Sequence, residues 1–255
     1  MSRSGGPPTG GAGHVRRGSA ATPIGAVGVV VPARDEQEHI GRCVGSVLRA
    51  LEGVDVDAAL CVVLDRCTDR TASRAAAAHG GRPTALGLVP HEGAGSVGAL
   101  RNLGVAWLTR RLATHPPEAL WLLSTDADTT VDPGWVRDHL RHAADGAHAV
   151  AGLADLDDAH HLSPTARRAY ARILGDGTRG AGHTHVYGAN LGIRADVFRA
   201  VGGFPPVRCG EDHGLAARVR DGGFRLVTAL DGRVRTSART VGRAEDGLAG
   251  LLAGL

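Results

Sequence analysis

The chain has 255 residues, 43% of them hydrophobic and 22% charged, and carries a formal net charge of +3 at pH 7. That balance excludes global disorder, suits one α/β domain with a sizeable core, and gives no electrostatic case for nucleic acid. There is no lysine anywhere, which excludes Schiff-base chemistry and a Walker-type phosphate loop and leaves arginine forks and metal as the means of holding phosphate.

Residues 1–22 are rich in Gly, Pro, Ser and Arg, lack the apolar core of a secretory signal, and read as a disordered tail ahead of a domain over 23–255. Residues 26–31 form an apolar, valine-rich strand that stops at Pro32, followed by the polar loop Ala33-Arg34-Asp35-Glu36. Residues 38–51 have helical periodicity, with Ile40, Val44, Val47, Leu48 and Leu51 on one face. A second buried strand over 58–64 ends at Asp65, and an Ala-rich helix runs over 70–78 with Thr68 or Asp69 placed to cap it. A weaker strand over 84–89 leads through the loop 92–98 into a helix over 99–113. Residues 120–123 are continuously apolar, the mark of a strand buried on both faces. Strand and helix alternate throughout this half, which implies a parallel sheet with right-handed crossovers.

The second half is less regular. A fifth strand is expected over 147–153, a helix over 164–174, and a glycine-rich loop over 175–182 that could move over a site. A strand over 185–193 and a short helix over 196–201 follow, and then a helix beginning at Glu211-Asp212. Short strands over 224–230 and 233–236 and a last helix over 243–252 complete the reading. The four cysteines show no C-x-x-C spacing, so zinc and a disulfide framework are not expected. No apolar run approaches the ~20 residues of a membrane span, and a cytoplasmic location is expected.

Three strand ends carry acids: Asp35 and Glu36, then Asp65, then Asp126 and Asp128. Parallel strands bring such ends to one edge of the sheet, where α/β folds bind ligands. Asp126 and Asp128, one residue apart, repel unless a cation lies between them or one is protonated. Their hard oxygen atoms suit Mg²⁺ or Mn²⁺ carrying substrate phosphates. His183 and His185 share a face if their segment is extended, and are weighed as a second metal site, acceptor contacts or surface residues.

Six segments in order resemble family 2 of the GT-A glycosyltransferases: Val29-Val30-Val31-Pro32-Ala33-Arg34-Asp35-Glu36, Asp65-Arg66-Cys67-Thr68-Asp69-Arg70-Thr71, Gly98-Ala99-Leu100-Arg101-Asn102-Leu103-Gly104, Asp126-Ala127-Asp128, Tyr187-Gly188-Ala189-Asn190 with Gly202-Gly203-Phe204, and Gly210-Glu211-Asp212-His213. The resemblance implies a GT-A fold, α/β with a mostly parallel sheet, whose residues 23–130 bind a nucleotide-sugar and whose residues 131–255 bind the acceptor. It implies transfer of a sugar from a nucleoside-diphosphate sugar, a UDP-sugar by preference, to an acceptor hydroxyl with inversion. Pro32, Ala33, Glu36 and Asp65 would line the base and ribose pocket, and Arg101 would approach the diphosphate. Asp126 would face the ribose or the metal, and Asp128 would bind the metal. Asp212, beside Glu211, would take the proton, and Tyr187, Gly188 and Asn190 would meet the acceptor. Leu64 stands where many members carry a second Asp, and where some GT-A enzymes supply a histidine metal ligand after the Glu-Asp motif, only His213, inside the motif itself, lies that late.

Three other readings compete. Asp126-Ala127-Asp128-Thr129-Thr130 also satisfies the Asp-x-Asp-x-Thr signature of haloacid-dehalogenase-like phosphatases, but that motif belongs after a first strand. A nucleotidyltransferase would want a glycine-rich first loop, which Pro32-Ala33-Arg34-Asp35 lacks. A catalytically inactive nucleotide-sugar-binding protein would bind donor without turnover.

Overall fold

A computed structural model of the protein describes residues 22–157, 159–180 and 182–240, with residues 250, 252 and 254. The expected amino-terminal tail and most of the expected last helix lie outside the described residues. The first half runs β1 (Ala26–Ala33), α1 (Ile40–Glu52), β2 (Asp57–Asp65), α2 (Thr71–His79), β3 (Ala85–His91), α3 (Val97–Arg111), β4 (Leu120–Ser124). The second half runs β5 (Thr129–Val131), α4 (Trp135–Ala144), β6 (Ala149–Asp157), α5 (Pro164–Asp176), β7 (Thr178–Arg179), β8 (Gly182–His183), β9 (Leu191–Arg194), α6 (Ala195–Ala200), α7 (Glu211–Asp221), β10 (Leu226–Ser237).

One mixed sheet orders these strands β3-β2-β1-β4-β9-β6-β10-β5, and β7 with β8 forms a separate two-stranded ladder. β1 pairs in parallel with β2 and β4, and β2 with β3. β9 runs antiparallel to both β4 and β6, so it joins the two halves of the sheet. Period-two alternation splits the strand residues between two cores. Val27, Val29 and Val31 of β1, Leu60 and Val62 of β2, and Trp121 and Leu123 of β4 face α1 and α4. Val30, Cys61, Val63, Leu120 and Leu122 face α3, α6 and α7. Burial on both faces is why these strands read as unbroken apolar runs.

β1 runs through Pro32 to Ala33 rather than stopping at the proline. The Val30 carbonyl accepts from Thr125 N–H at 3.2 Å, so alternate residues of β1, Pro32 among them, point their backbone toward β4. β4 ends at Ser124, opposite Val30. The missing N–H of Pro32 therefore faces a side that no strand occupies among the described residues. Other expectations shift. The segment expected as a strand over 185–193 is a short 3₁₀ turn, Gly188–Asn190, followed by the four-residue β9. The two short strands expected after 224 are one strand, β10, with an irregularity between Ala229 and Val234 that Gly232 permits at φ 57°. The glycine-rich stretch 175–182 contributes the end of α5 and most of the β7–β8 hairpin, not an open loop.

Candidate functional site

β1 has β2 and β3 on one side and β4 on the other, so the strand order reverses at β1, the kind of switch point at whose carboxyl edge α/β sheets bind ligands. Glu36, Asp65, Asp126 and Asp128 all stand on this edge. Asp35 and Arg66 adopt φ of 49° and 47°. A left-handed backbone costs a non-glycine residue roughly 1 kcal/mol, and such strain collects at functional sites. The β1 and β2 loops are bound to each other. Thr68 N–H donates to Asp35 Oδ1 at 2.7 Å, Glu36 N–H to Thr71 Oγ1 at 2.8 Å, and Gln37 N–H to Asp69 Oδ2 at 3.0 Å. Asp65 is buried and accepts from Arg66 Nε at 3.0 Å and Nη2 at 3.2 Å.

Glu36 and Asp128 share one cation. Arg239, two residues past β10, donates from Nη1 to both Glu36 oxygens at 2.8 and 3.1 Å, and its Nη2 lies 2.9 Å from Asp128 Oδ2. Thr236 Oγ1 lies 3.4 Å from Asp128 Oδ1. Burial pushes the Asp128 carboxyl up to about 6, with Asp126 and Glu36 adding to the rise and Arg239 opposing it. At neutral pH it is therefore ionised, as a cation ligand must be.

Asp126 is held by a different arginine. Arg101, buried on α3, donates from Nη2 to Asp126 Oδ1 at 2.6 Å and from Nη1 to Glu211 Oε1, and lies 5.5 Å above the Phe204 ring. Its side chain is 3% exposed, so it fixes two carboxylates instead of opening toward a diphosphate as expected. A Cβ on Gly188 would come within 2.4 Å of Arg101 Nη2, so any larger residue there would have to displace the guanidinium from its two carboxylates. Asp212 stands in the first turn of α7. Its Oδ2 accepts from Gly188 N–H at 2.8 Å, and its Oδ1 from His213 N–H at 2.7 Å. The Glu-Asp pair thus divides: Glu211 faces the buried arginine, and Asp212 faces the segment expected to meet the acceptor.

On that acceptor side, Tyr187 is half-buried and its ring stacks on His185 at 5.6 Å. His183 and His185 are neighbours at 5.9 Å, so they share a face. Their Nε2 atoms, however, address separate carbonyls, Ala229 O at 3.1 Å and Leu174 O at 3.4 Å. Asn190 is fully buried. Its Oδ1 accepts from Trp135 Nε1 at 2.9 Å and meets His139 Nε2 at 3.2 Å, while its Nδ2 donates to Leu153 O and Gly232 O, both at 2.9 Å. The amide is wholly engaged in joining α4, β6 and β10 behind the site.

Sequence reasoning did not single out Thr71 within the Asp65–Thr71 segment, and it met Thr236 and Arg239 only within the basic run 233–239, which could hold diphosphate or form a solvated charged edge strand. Thr71 sits where a helix begins and looks like an ordinary first-turn residue.

The sequence profile of Glycosyl transferase family 2 matches residues 28–202, more than half of the chain. The chain belongs to glycosyl transferase family 2. This membership displaces the phosphatase and nucleotidyltransferase readings. No curated protein sequence matches the chain. Solved structures of similar fold include the mannosyltransferase PcManGT from Pyrobaculum calidifontis in complex with GDP-Man and Mn²⁺, at 18% identity and a TM-score of 0.61, covering 89% of this chain and 62% of that one. They also include S. aureus TarS 1-349 in complex with UDP-GlcNAc, at 15% identity and a TM-score of 0.59, with 86% and 60% covered. A third is the glucosyl-3-phosphoglycerate synthase of Mycobacterium tuberculosis in complex with Mg²⁺ and UDP, at 19% identity and a TM-score of 0.52, with 83% and 71% covered. This family 2 chain thus spans 62% and 60% of the length of the first two. At these identities the likeness is one of fold. The profile takes in every expected site residue from Pro32 to Asn190, whereas Glu211, Asp212 and Arg239 lie beyond it. No helix among the described residues is long and apolar enough to cross a membrane.

Proposed function

We propose that this family 2 chain moves a glycosyl group from a nucleoside-diphosphate sugar, a UDP-sugar by preference, to an acceptor hydroxyl by direct displacement with inversion. One observation carries the reading. Glu36, Asp65, Asp126 and Asp128 follow the carboxyl ends of β1, β2 and β4, and Arg101 ties Asp126 to Glu211, the residue beside Asp212.

The Pro32-Ala33 backbone, Glu36 and Asp65 line the nucleoside side of the crevice. Asp128 and Asp126 are the carboxylates that would hold Mn²⁺ or Mg²⁺, an all-oxygen donor pair that fits a hard cation sharing its shell with phosphate and water. When bound, that cation neutralises charge on the leaving diphosphate. Arg101 aligns Asp126 with Glu211. Asp212 accepts the proton of the acceptor hydroxyl as its oxygen bonds to the anomeric carbon; the bond from that carbon to the diphosphate oxygen breaks, and the nucleoside diphosphate leaves with the electron pair. Tyr187 and the Gly188 backbone form the acceptor wall, and Asn190 acts behind it as a positioning residue. Incubating the chain with UDP-sugars and Mn²⁺, and following release of UDP, tests the reading. Saturable UDP binding without release of UDP to any acceptor or to water would favour the inactive binding protein instead.

A further inference from the structure

We infer that Arg239 is a resident counter-cation. It holds Glu36 and Asp128 in the ligand-free protein, gives up Asp128 when a divalent cation binds, and offers the freed guanidinium to the donor diphosphate. The inference rests on the reading just proposed and deepens it.

The side chains of Asp128 and Glu36 are 10% and 6% exposed. Buried carboxylates need a compensating charge, and here one guanidinium serves both. Among the described residues two arginines reach the Asp126-x-Asp128 pair, and they differ in freedom. Arg101 is 3% exposed and locked between two acids, whereas Arg239 is 30% exposed. Backbone bonds hold the segment that carries Arg239 independently of its side chain: Ser237 N–H to Asp128 O and Ala238 N–H to Asp157 O, both at 3.2 Å. The side chain can therefore swing while its backbone stays. A cavity of about 250 Å³ lined by Arg239, Asp128, Asp157, Arg42, His39 and Thr130 opens beside it and gives it room.

The exchange follows from charge. Arg239 Nη2 sits on Asp128 Oδ2, and a divalent cation taking that oxygen would face the guanidinium at close range and repel it. A displaced planar fork beside a cation-bound diphosphate finds the partner it suits best. With no lysine in the chain, the fixed positive charges that can meet phosphate oxygens are arginines and metal.

The test compares Mn²⁺ alone with UDP plus Mn²⁺ on the full chain, by calorimetry, for wild type and Arg239→Gln. Losing a competing cation should tighten binding of Mn²⁺ alone by about threefold to tenfold. Losing the fork should weaken UDP binding in the presence of Mn²⁺ by about tenfold, the worth of one charge-assisted hydrogen bond. A merely structural arginine would move both affinities the same way. Arg239→Lys, which keeps the charge and loses the fork, should bind Mn²⁺ like wild type and UDP more weakly, and it carries the test if Arg239→Gln melts early. Both affinities falling together, or neither changing, overturns the exchange. A wild-type chain that binds no Mn²⁺ overturns the metal reading itself, and the exchange with it.

Discussion

Asp212 holds two backbone donors with two oxygens, one from its own helix and one from Gly188 across the crevice. Asp212→Asn keeps the shape but turns an amide NH₂ toward one of those N–H groups, so a loss of about 1–2 kcal/mol in stability is expected. A base contributes far more to rate than that: slow donor hydrolysis should fall ~10²–10⁴-fold while UDP affinity stays close to wild type. Turnover that follows only the small stability loss would leave Asp212 a structural residue. Asn190 makes the opposite prediction. Its four polar contacts all lie inside the protein, so Asn190→Ala orphans two donors and two carbonyls at once. Thermal denaturation should show a loss of about 2–4 kcal/mol. An unchanged melting temperature would show that the network carries no stability.

Among the elements, α3 is the one whose placement the site depends on, because it carries Arg101. It packs against the sheet through Gly104, where a Cβ would come within 2.3 Å of Val30 Cγ2 and 3.0 Å of Val63 Cγ2. Gly104→Ala should push α3 outward, cost about 1–3 kcal/mol by overpacking, and slow turnover by displacing Arg101 one turn earlier. Wild-type activity with unchanged melting would mean that α3 has slack. Elements of this kind were legible in the sequence. β1, β2 and β4 announce themselves because both faces are buried, and α1 because its apolar residues recur at helical spacing. β5 and β9, at three and four residues, are too short to show a period. β10 looks like two strands because Asp231 and Gly232 interrupt it with turn chemistry. The site divides in the same way. Acids at strand ends follow from local pattern, but the Arg239–Glu36 pair spans 203 residues, and no local signal encodes a contact of that range. Arg101 and Asn190 were found as residues, yet their burial depends on α7 and α4 closing over them, which only the assembled fold reveals.

At the scale of the whole molecule, His139 couples acidity to folding. Burial holds its imidazole down at about 4 from an ordinary 6.5, with the Asn190 hydrogen bond opposing the shift. From pH 6.5 downward the unfolded chain takes up a proton that the folded chain refuses. The contribution of this residue is therefore complete above 6.5 and is lost as the pH falls toward 4, by about 3 kcal/mol at the lower end. His139→Gln keeps a donor for Asn190 but does not titrate, so its stability between pH 6.5 and 4 should fall less steeply than that of wild type in denaturant titrations. Parallel curves would remove His139 as the cause.

The central claim is that one crevice, built by the β1, β2 and β4 ends, binds a nucleoside diphosphate through a cation on Asp128. Calorimetric titration of UDP and of GDP into the wild-type chain and into Asp128→Ala, with and without Mn²⁺, tests it most directly. The account predicts saturable, Mn²⁺-dependent binding of one nucleotide to wild type, weakened at least ~10-fold in a variant that still melts cooperatively. Equal affinity in the two proteins, or binding indifferent to Mn²⁺, would contradict it.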